Sequence, residues 1–101
     1  MAETLKQEAK RLLADVPGEY VFRSHNGHII HNMKELADEF KTMMEGDYAF
    51  HVNEKNNGFI NWVRDTIKDE RLVKDLQSAR NQAEAAKLVT SRVSILSRRL
   101  A

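Results

Sequence analysis

Four histidines are the residues of this chain best suited to chemistry, because an imidazole can bind a metal ion or carry a proton near neutral pH. His25, His28 and His31 stand three residues apart, and His51 follows later. Residues three apart on one strand face opposite sides, and Asn26-Gly27 places a turn after His25. The sequence has no cysteine and no His-Glu-x-x-His element. We therefore expect exposed hairpin histidines, with no metal and no other cofactor.

Motifs for nucleophilic catalysis and for phosphate binding are missing from the sequence. No serine lies in a Gly-x-Ser-x-Gly elbow, and the four glycines stand too far apart for a Gly-x-Gly-x-x-Gly or Walker loop. Acidic pairs such as Asp38-Glu39 and Asp69-Glu70 are neighbours in sequence, which is typical of solvated helix faces and helix caps. These patterns predict that the protein is not an enzyme.

Positive charge is concentrated near the C-terminal end. The formal net charge is +1 over 101 residues, yet residues 77–101 carry five cations and one acid, Glu84. A basic segment of this kind can contact phosphates or an acidic partner, or it can solvate a helix and complement its dipole. The candidate phosphate contacts are Arg80, Lys87, Arg92, Arg98 and Arg99.

The stretch FHVNEKNNGFINWVRD, residues 50–65, combines a histidine, several asparagines and the single tryptophan. Its aromatic rings can join a core while the asparagines satisfy backbone groups where the chain turns. We expect His51 to be half-buried and to donate a hydrogen bond to a nearby carbonyl or to Asp65. The alternative is a small-molecule or metal site around the same residues. The predicted structural motif comprises His51, Asn57, Phe59, Trp62 and Asp65.

Helical and extended patterns alternate in the first third of the chain. Apolar residues at helical spacing predict an amphipathic helix in residues 1–16, ended by Pro17-Gly18. Two short β-prone runs then flank Asn26-Gly27, so we expect a small hairpin in residues 20–31. An isolated hairpin is stable only when it rests on other elements, and the helices must supply that support.

Potential capping side chains mark the helices of residues 33–79, the predicted helical core. Asn32 precedes a helix expected from Met33 to Met44, which Gly46 would close. Asp69 is expected to cap a later helix, although the chain could also continue there as one bent helix.

The last predicted helix covers residues 81–100 and contains neither glycine nor proline. Its apolar residues step by three and four positions, which gives one narrow seam suited to packing against another helix. That helix could belong to the same chain or to a second copy. The candidate partner seam comprises Ala86, Val89, Val93, Leu96 and Leu100.

Three segments, YVFRSHNGHIIHNMKELADEF, AFHVN and NGFINWVRDTIKDERLVKDL, resemble a widespread family of small prokaryotic domains to which no activity is assigned. In that family a short hairpin leads to a leucine-bearing helix, an aromatic-His-Val element and a helix that begins Asn-Asp-Phe-x-x-Trp. The resemblance implies a shared fold. This chain has Gly58 where the family usually has aspartate, so either Asn57 caps the helix that begins at Phe59 or the start of that helix is weaker here.

Residues 1–101 are expected to form a single domain. We predict a mainly α fold with one small β-hairpin (α+β), arranged as a compact bundle of four to five helices. No apolar run approaches the roughly 20 residues that a bilayer span requires, and the lack of cysteine fits a reducing cytosol, so we expect a cytoplasmic protein with no membrane partner. The predicted function is a non-enzymatic helical interaction module that binds a protein partner or forms a homodimer through its C-terminal helix. The alternative is nucleic-acid binding by that basic helix.

Overall fold

The computed structural model describes residues 2–101, and residue 1 of the predicted N-terminal segment lies outside this range. The α+β class is confirmed, with six α-helices in the described chain rather than the expected four to five. None of these helices combines the length and the apolarity needed to cross a bilayer. The elements are α1 (Leu5–Leu13), β1 (Phe22–Arg23), β2 (Ile29–Ile30), α2 (Met33–Thr42), α3 (Glu45–His51), α4 (Gly58–Trp62), α5 (Glu70–Gln77) and α6 (Gln82–Leu100).

Helix α6 is the central element of the core. It packs against α2, α1 and α5, and its Val89 and Leu96 are completely buried. Leu36 of α2 and Leu72 of α5 are equally inaccessible to solvent. The hydrophobic effect that stabilises this fold therefore acts mainly where the other helices cover the inward face of α6.

Side-chain caps fix the beginnings of five helices, because each cap accepts a hydrogen bond from a first-turn N–H group that the helix itself cannot satisfy. The predicted caps Asn32, Asn57 and Asp69 are confirmed, and Asn81 caps α6 in the same way. Thr4 forms a full capping box with Gln7 at the start of α1. This helix ends at Leu13, several residues before the Pro17-Gly18 pair that was expected to end it.

The prediction that Gly46 closes the second helix is wrong. Helix α2 ends at Thr42, and Gly46 lies inside the next helix, α3. The chain changes direction at Met43 and Met44, which both have extended backbone dihedrals that any residue can adopt. Because no left-handed residue is needed there, α3 starts at once, and this accounts for the additional helix.

The predicted hairpin is present and pairs Phe22 with Ile30 and Arg23 with Ile29. Its turn is closed by the N–H of Gly27, which donates to the carbonyl of Ser24 over 3.0 Å. Gly27 has φ +90°, whereas Asn26 keeps a negative φ, so one residue of the Asn-Gly pair adopts the left-handed conformation rather than both. This geometry is typical of a type I turn followed by a glycine bulge.

The boundary between α4 and α5 is a true break. A turn of π-helix, Val63–Ile67, extends α4, and Lys68 then adopts a left-handed conformation with φ 67°. Asp69 caps α5 immediately afterwards. The alternative of one bent helix through this region, which the sequence did not exclude, is therefore not formed.

Candidate partner-binding surface

His51 lies at the end of α3 against the hairpin. Its ring packs edge-on against Phe22 and Phe59, at centroid distances of 4.9 and 5.1 Å. Its Nε2 atom accepts a hydrogen bond of 3.0 Å from the backbone N–H of His25. The expected donor role toward a carbonyl or Asp65 is therefore wrong, because the turn of the hairpin brings a free N–H group to the ring. Asp65 is exposed and instead accepts from the side chain of Arg64.

The pKa of His51 is lowered from its ordinary value. Burial among aromatic rings is the largest cause, since it disfavours the charged imidazolium. The nearby His25 lowers the pKa further, and Asp47 partly opposes the effect. His51 therefore favours the neutral ring that its acceptor role requires.

The remaining members of the structural motif are scaffolding for the core. Phe59 is buried, and the side-chain oxygen of Asn57 accepts from the N–H groups of Phe59 and Ile60. Trp62 is only 7% exposed, and its Nε1 donates to the carbonyl of Tyr20 over 2.7 Å. These contacts join α4 to the chain that precedes the hairpin, and none of the five main pockets among the described residues is lined by His51, Trp62 or Asp65.

The three hairpin histidines are exposed, as expected, but each is paired with a carboxylate. In the part of the chain that the structure describes, no group of three His, Cys, Asp or Glu side chains is placed to hold a metal ion. The pairs bind the hairpin to α2 and α3 and so have a structural role. In each pair the Nδ1 atom of the histidine contacts a carboxylate oxygen. The pairs are His25–Asp47 at 2.9 Å, His28–Glu39 at 2.8 Å and His31–Glu35 at 2.8 Å.

The apolar seam of the C-terminal helix lies on the inward face of α6. Its members pack against the chain's own helices, so most of the seam is not accessible to a partner. Val89 and Leu96 are completely buried, Ala86 is buried, Val93 is partly buried, and Leu100 is the one member that is exposed.

Three of the five candidate phosphate contacts are engaged by carboxylates of the same chain. Arg92 is buried and forms a salt bridge with Asp69, with 2.8 Å between its Nε atom and Oδ2 of the aspartate. Two further pairs join Arg99 to Glu8 at 3.1 Å and Arg80 to Glu84 at 3.7 Å. The buried pair withholds Arg92 from phosphate, whereas the exposed Arg80–Glu84 pair is weak and leaves Arg80 accessible.

The other two candidates, Lys87 and Arg98, are exposed on the outward face of α6, and neither forms a salt bridge within the described residues. They border a groove of about 650 Å³ between α6 and the end of α2. No carboxylate is among its described lining residues. We call it the basic groove, and define it by Lys41, Lys87, Ser91, Ser94, Ile95 and Arg98.

Comparisons of the chain with family models, with curated proteins and with solved structures found no match. The resemblance to a family of small prokaryotic domains thus stays a prediction.

The sequence indicates the α6 side of the basic groove, but it does not indicate the contribution of α2. Lys87, Ser91, Ser94 and Arg98 step by four, three and four, which places them on one face of a helix. Lys41 joins them through tertiary packing of α2 on α6, for which the local sequence carries no signal.

Proposed function

We propose that this chain is a non-enzymatic helical interaction module that binds a protein partner through the basic groove. The observation that carries the proposal is an exposed face of α6 on which Lys87 and Arg98 border a groove with an exposed apolar side chain, Ile95. Neither cation pairs with a carboxylate of the described residues. Exposed apolar area bordered by charge is typical of protein interaction sites. The cysteine-free sequence supports a cytoplasmic location.

The charge of the groove favours a different protein over a second copy of this chain. If two copies of α6 packed antiparallel through this face, Lys87 would approach the partner's Arg98. Parallel packing would instead bring Arg98 toward the partner's Arg98. Both arrangements place like charges together at an interface, which is unfavourable. The buried seam offers no substitute, because α1, α2 and α5 already cover it.

Nucleic-acid binding is the second candidate, supported by Lys41, Lys87 and Arg98 on one surface. Each neutralised phosphate steepens the salt dependence of binding, and three cations would give a shallow slope and weak affinity. The groove also exposes Ile95, which has no role in contacting phosphates. We therefore favour a protein partner.

The proposal is tested by the native mass of the full chain isolated, under gentle conditions, from the cells that produce it. We expect a stoichiometric complex with another protein. The complex should be lost in the double variant Lys87→Glu/Arg98→Glu. Lys55→Glu is the control, since Lys55 is an exposed lysine in the loop between α3 and α4 and does not line the basic groove.

Two results would contradict the proposal. One is a mass equal to one chain at every concentration, with no companion protein. The other is a complex that survives the double variant unchanged, because its interface would then lie elsewhere. Binding of a short DNA or RNA duplex that is lost in the double variant, in place of a protein complex, would support the second candidate.

A further inference from the structure

We propose that the segment of the partner protein that fills the basic groove is an acidic amphipathic helix. This inference rests on the proposed function and specifies the chemistry of its partner. Its basis is the combination of two cations without a carboxylate partner in residues 2–101, their spacing along α6, and an exposed apolar side chain beside them.

Arg98 is one of two arginines that form no salt bridge with a carboxylate of the described residues. Six of the eight arginines form a salt bridge with a carboxylate of the chain, and among the described residues only Arg23 and Arg98 do not. A planar guanidinium is well suited to a carboxylate, which it can bind through two parallel hydrogen bonds. The chain thus satisfies most of its arginines internally and leaves Arg98 facing the groove.

The spacing of the cations matches a helical ligand. Lys87 and Arg98 are eleven residues apart on α6, a separation of about 16 Å at the rise of an α-helix. A helix that lies along α6 presents carboxylates at the same separation when they too are eleven residues apart. Ser91 and Ser94 lie between the cations, and their small side chains let a second helix approach to the usual interaxial distance of about 8–10 Å.

The apolar part of the groove indicates that the docked helix has an apolar face as well as an acidic one. The exposed apolar surface of the groove comes mainly from Ile95, which is 40% exposed, because Ala86 in the same lining is only 9% exposed. An amphipathic helix docks by placing its apolar side chains in such a groove while its charged residues meet the rim. Lys41, at the α2 side, supplies a third cation for an acid on the flank of the docked helix.

The test uses a displayed library of helical peptides of about 18 residues, long enough to span the cations. Groove-facing positions are randomised among Asp, Glu, Lys, Ala and Leu, and peptides are selected for binding to the full chain. We expect selected peptides to carry acids eleven residues apart with leucines between them. Their affinity should fall roughly tenfold or more in Lys87→Glu/Arg98→Glu and should stay unchanged in Lys55→Glu.

Rescue provides the second measurement. Peptides in which the two acids are replaced by lysine should bind the double variant better than they bind the wild type. Selected peptides that lack acids, or that ignore the double variant, would overturn the acidic-helix inference, and so would a library that yields no binder. A native complex that is lost in the double variant would still support the proposed function, so the two failures are distinguishable.

Discussion

The guanidinium of Arg92 donates two hydrogen bonds to the carboxylate of Asp69, one from Nε over 2.8 Å and one from Nη2 over 3.2 Å. Both side chains are buried. The same carboxylate caps α5 by accepting from the N–H of Leu72. One aspartate therefore fixes the start of α5 and holds it against α6. Arg92 therefore serves the fold, because its charge is already paired with a buried carboxylate.

Asp69→Asn should strongly destabilise the protein. Asparagine can still cap α5, but the charge of Arg92 is then left buried without a counter-ion, at a cost of about 3–5 kcal/mol. Urea unfolding measures the change. The control is Asp75→Asn, which breaks the more exposed Arg71–Asp75 pair and should cost less than about 1 kcal/mol. Equal effects of the two substitutions would show that the Arg92–Asp69 pair is not buried.

Gly27→Ala and Gly46→Ala should change stability in opposite directions. Gly27 has φ +90°, so alanine there is strained and should cost about 1–2 kcal/mol even though its Cβ would meet open space. Gly46 lies within α3, also with open space around it, and alanine should stabilise that helix by up to about 1 kcal/mol. Thermal unfolding of both variants measures the difference, and a loss of stability in Gly46→Ala would argue against α3 as a helix.

Trp62→Phe should destabilise the protein by about 1–3 kcal/mol. The substitution removes the hydrogen bond to the carbonyl of Tyr20 and leaves unfilled space in the core. The comparison is Phe50→Leu, since Phe50 is 63% exposed and should tolerate the change at a cost below about 1 kcal/mol. Fluorescence offers an independent check: emission typical of a solvent-exposed indole would contradict the buried position of Trp62.

His51 should make the stability of the fold decrease as the pH falls. Its pKa in the folded state lies below the ordinary value of 6.5, so the unfolded chain takes up the proton first. The contribution of His51 is therefore complete above about pH 6.5 and is lost as the pH falls through the lower folded pKa.

An NMR titration of the His51 ring tests this effect. We expect a midpoint below 6.5 and a neutral ring protonated on Nδ1, because Nε2 is the acceptor. The difference in unfolding free energy between the wild type and His51→Gln should also shrink with decreasing pH. A midpoint at or above 6.5 would show that the ring is neither buried nor held by the hairpin.

Local signals made much of this fold predictable. Asn32, Asn57 and Asp69 were identifiable as caps because a cap bonds N–H groups only two or three residues ahead. The Asn-Gly turn and the apolar spacing of α6 are equally local. The prediction for Gly46 was wrong because glycine is common just after helices. Here the turn between α2 and α3 uses the extended residues Met43 and Met44, and no residue type is specific for that conformation.

Contacts between distant segments were the part that the sequence concealed. His51 meets an N–H group 26 residues earlier, and Arg92 meets a carboxylate 23 residues earlier. Arg92 and Arg99 do lie on one side of α6, as their spacing of seven suggested, but carboxylates of α1 and of the α5 cap occupy them. Helical spacing reveals which residues share a face, and it does not reveal what covers that face.

Photocrosslinking of the full chain in its own cells, from the outward face of α6, tests directly whether a partner protein binds the basic groove. A photoreactive residue replaces Ser94 in the basic groove, and replaces the exposed Ser78 at the end of α5 as the control. We predict one defined protein adduct from position 94, absent from position 78 and lost when Lys87→Glu and Arg98→Glu are added. No adduct from position 94, or the same adduct with the charges reversed, would contradict the assignment of this face as the partner-binding surface.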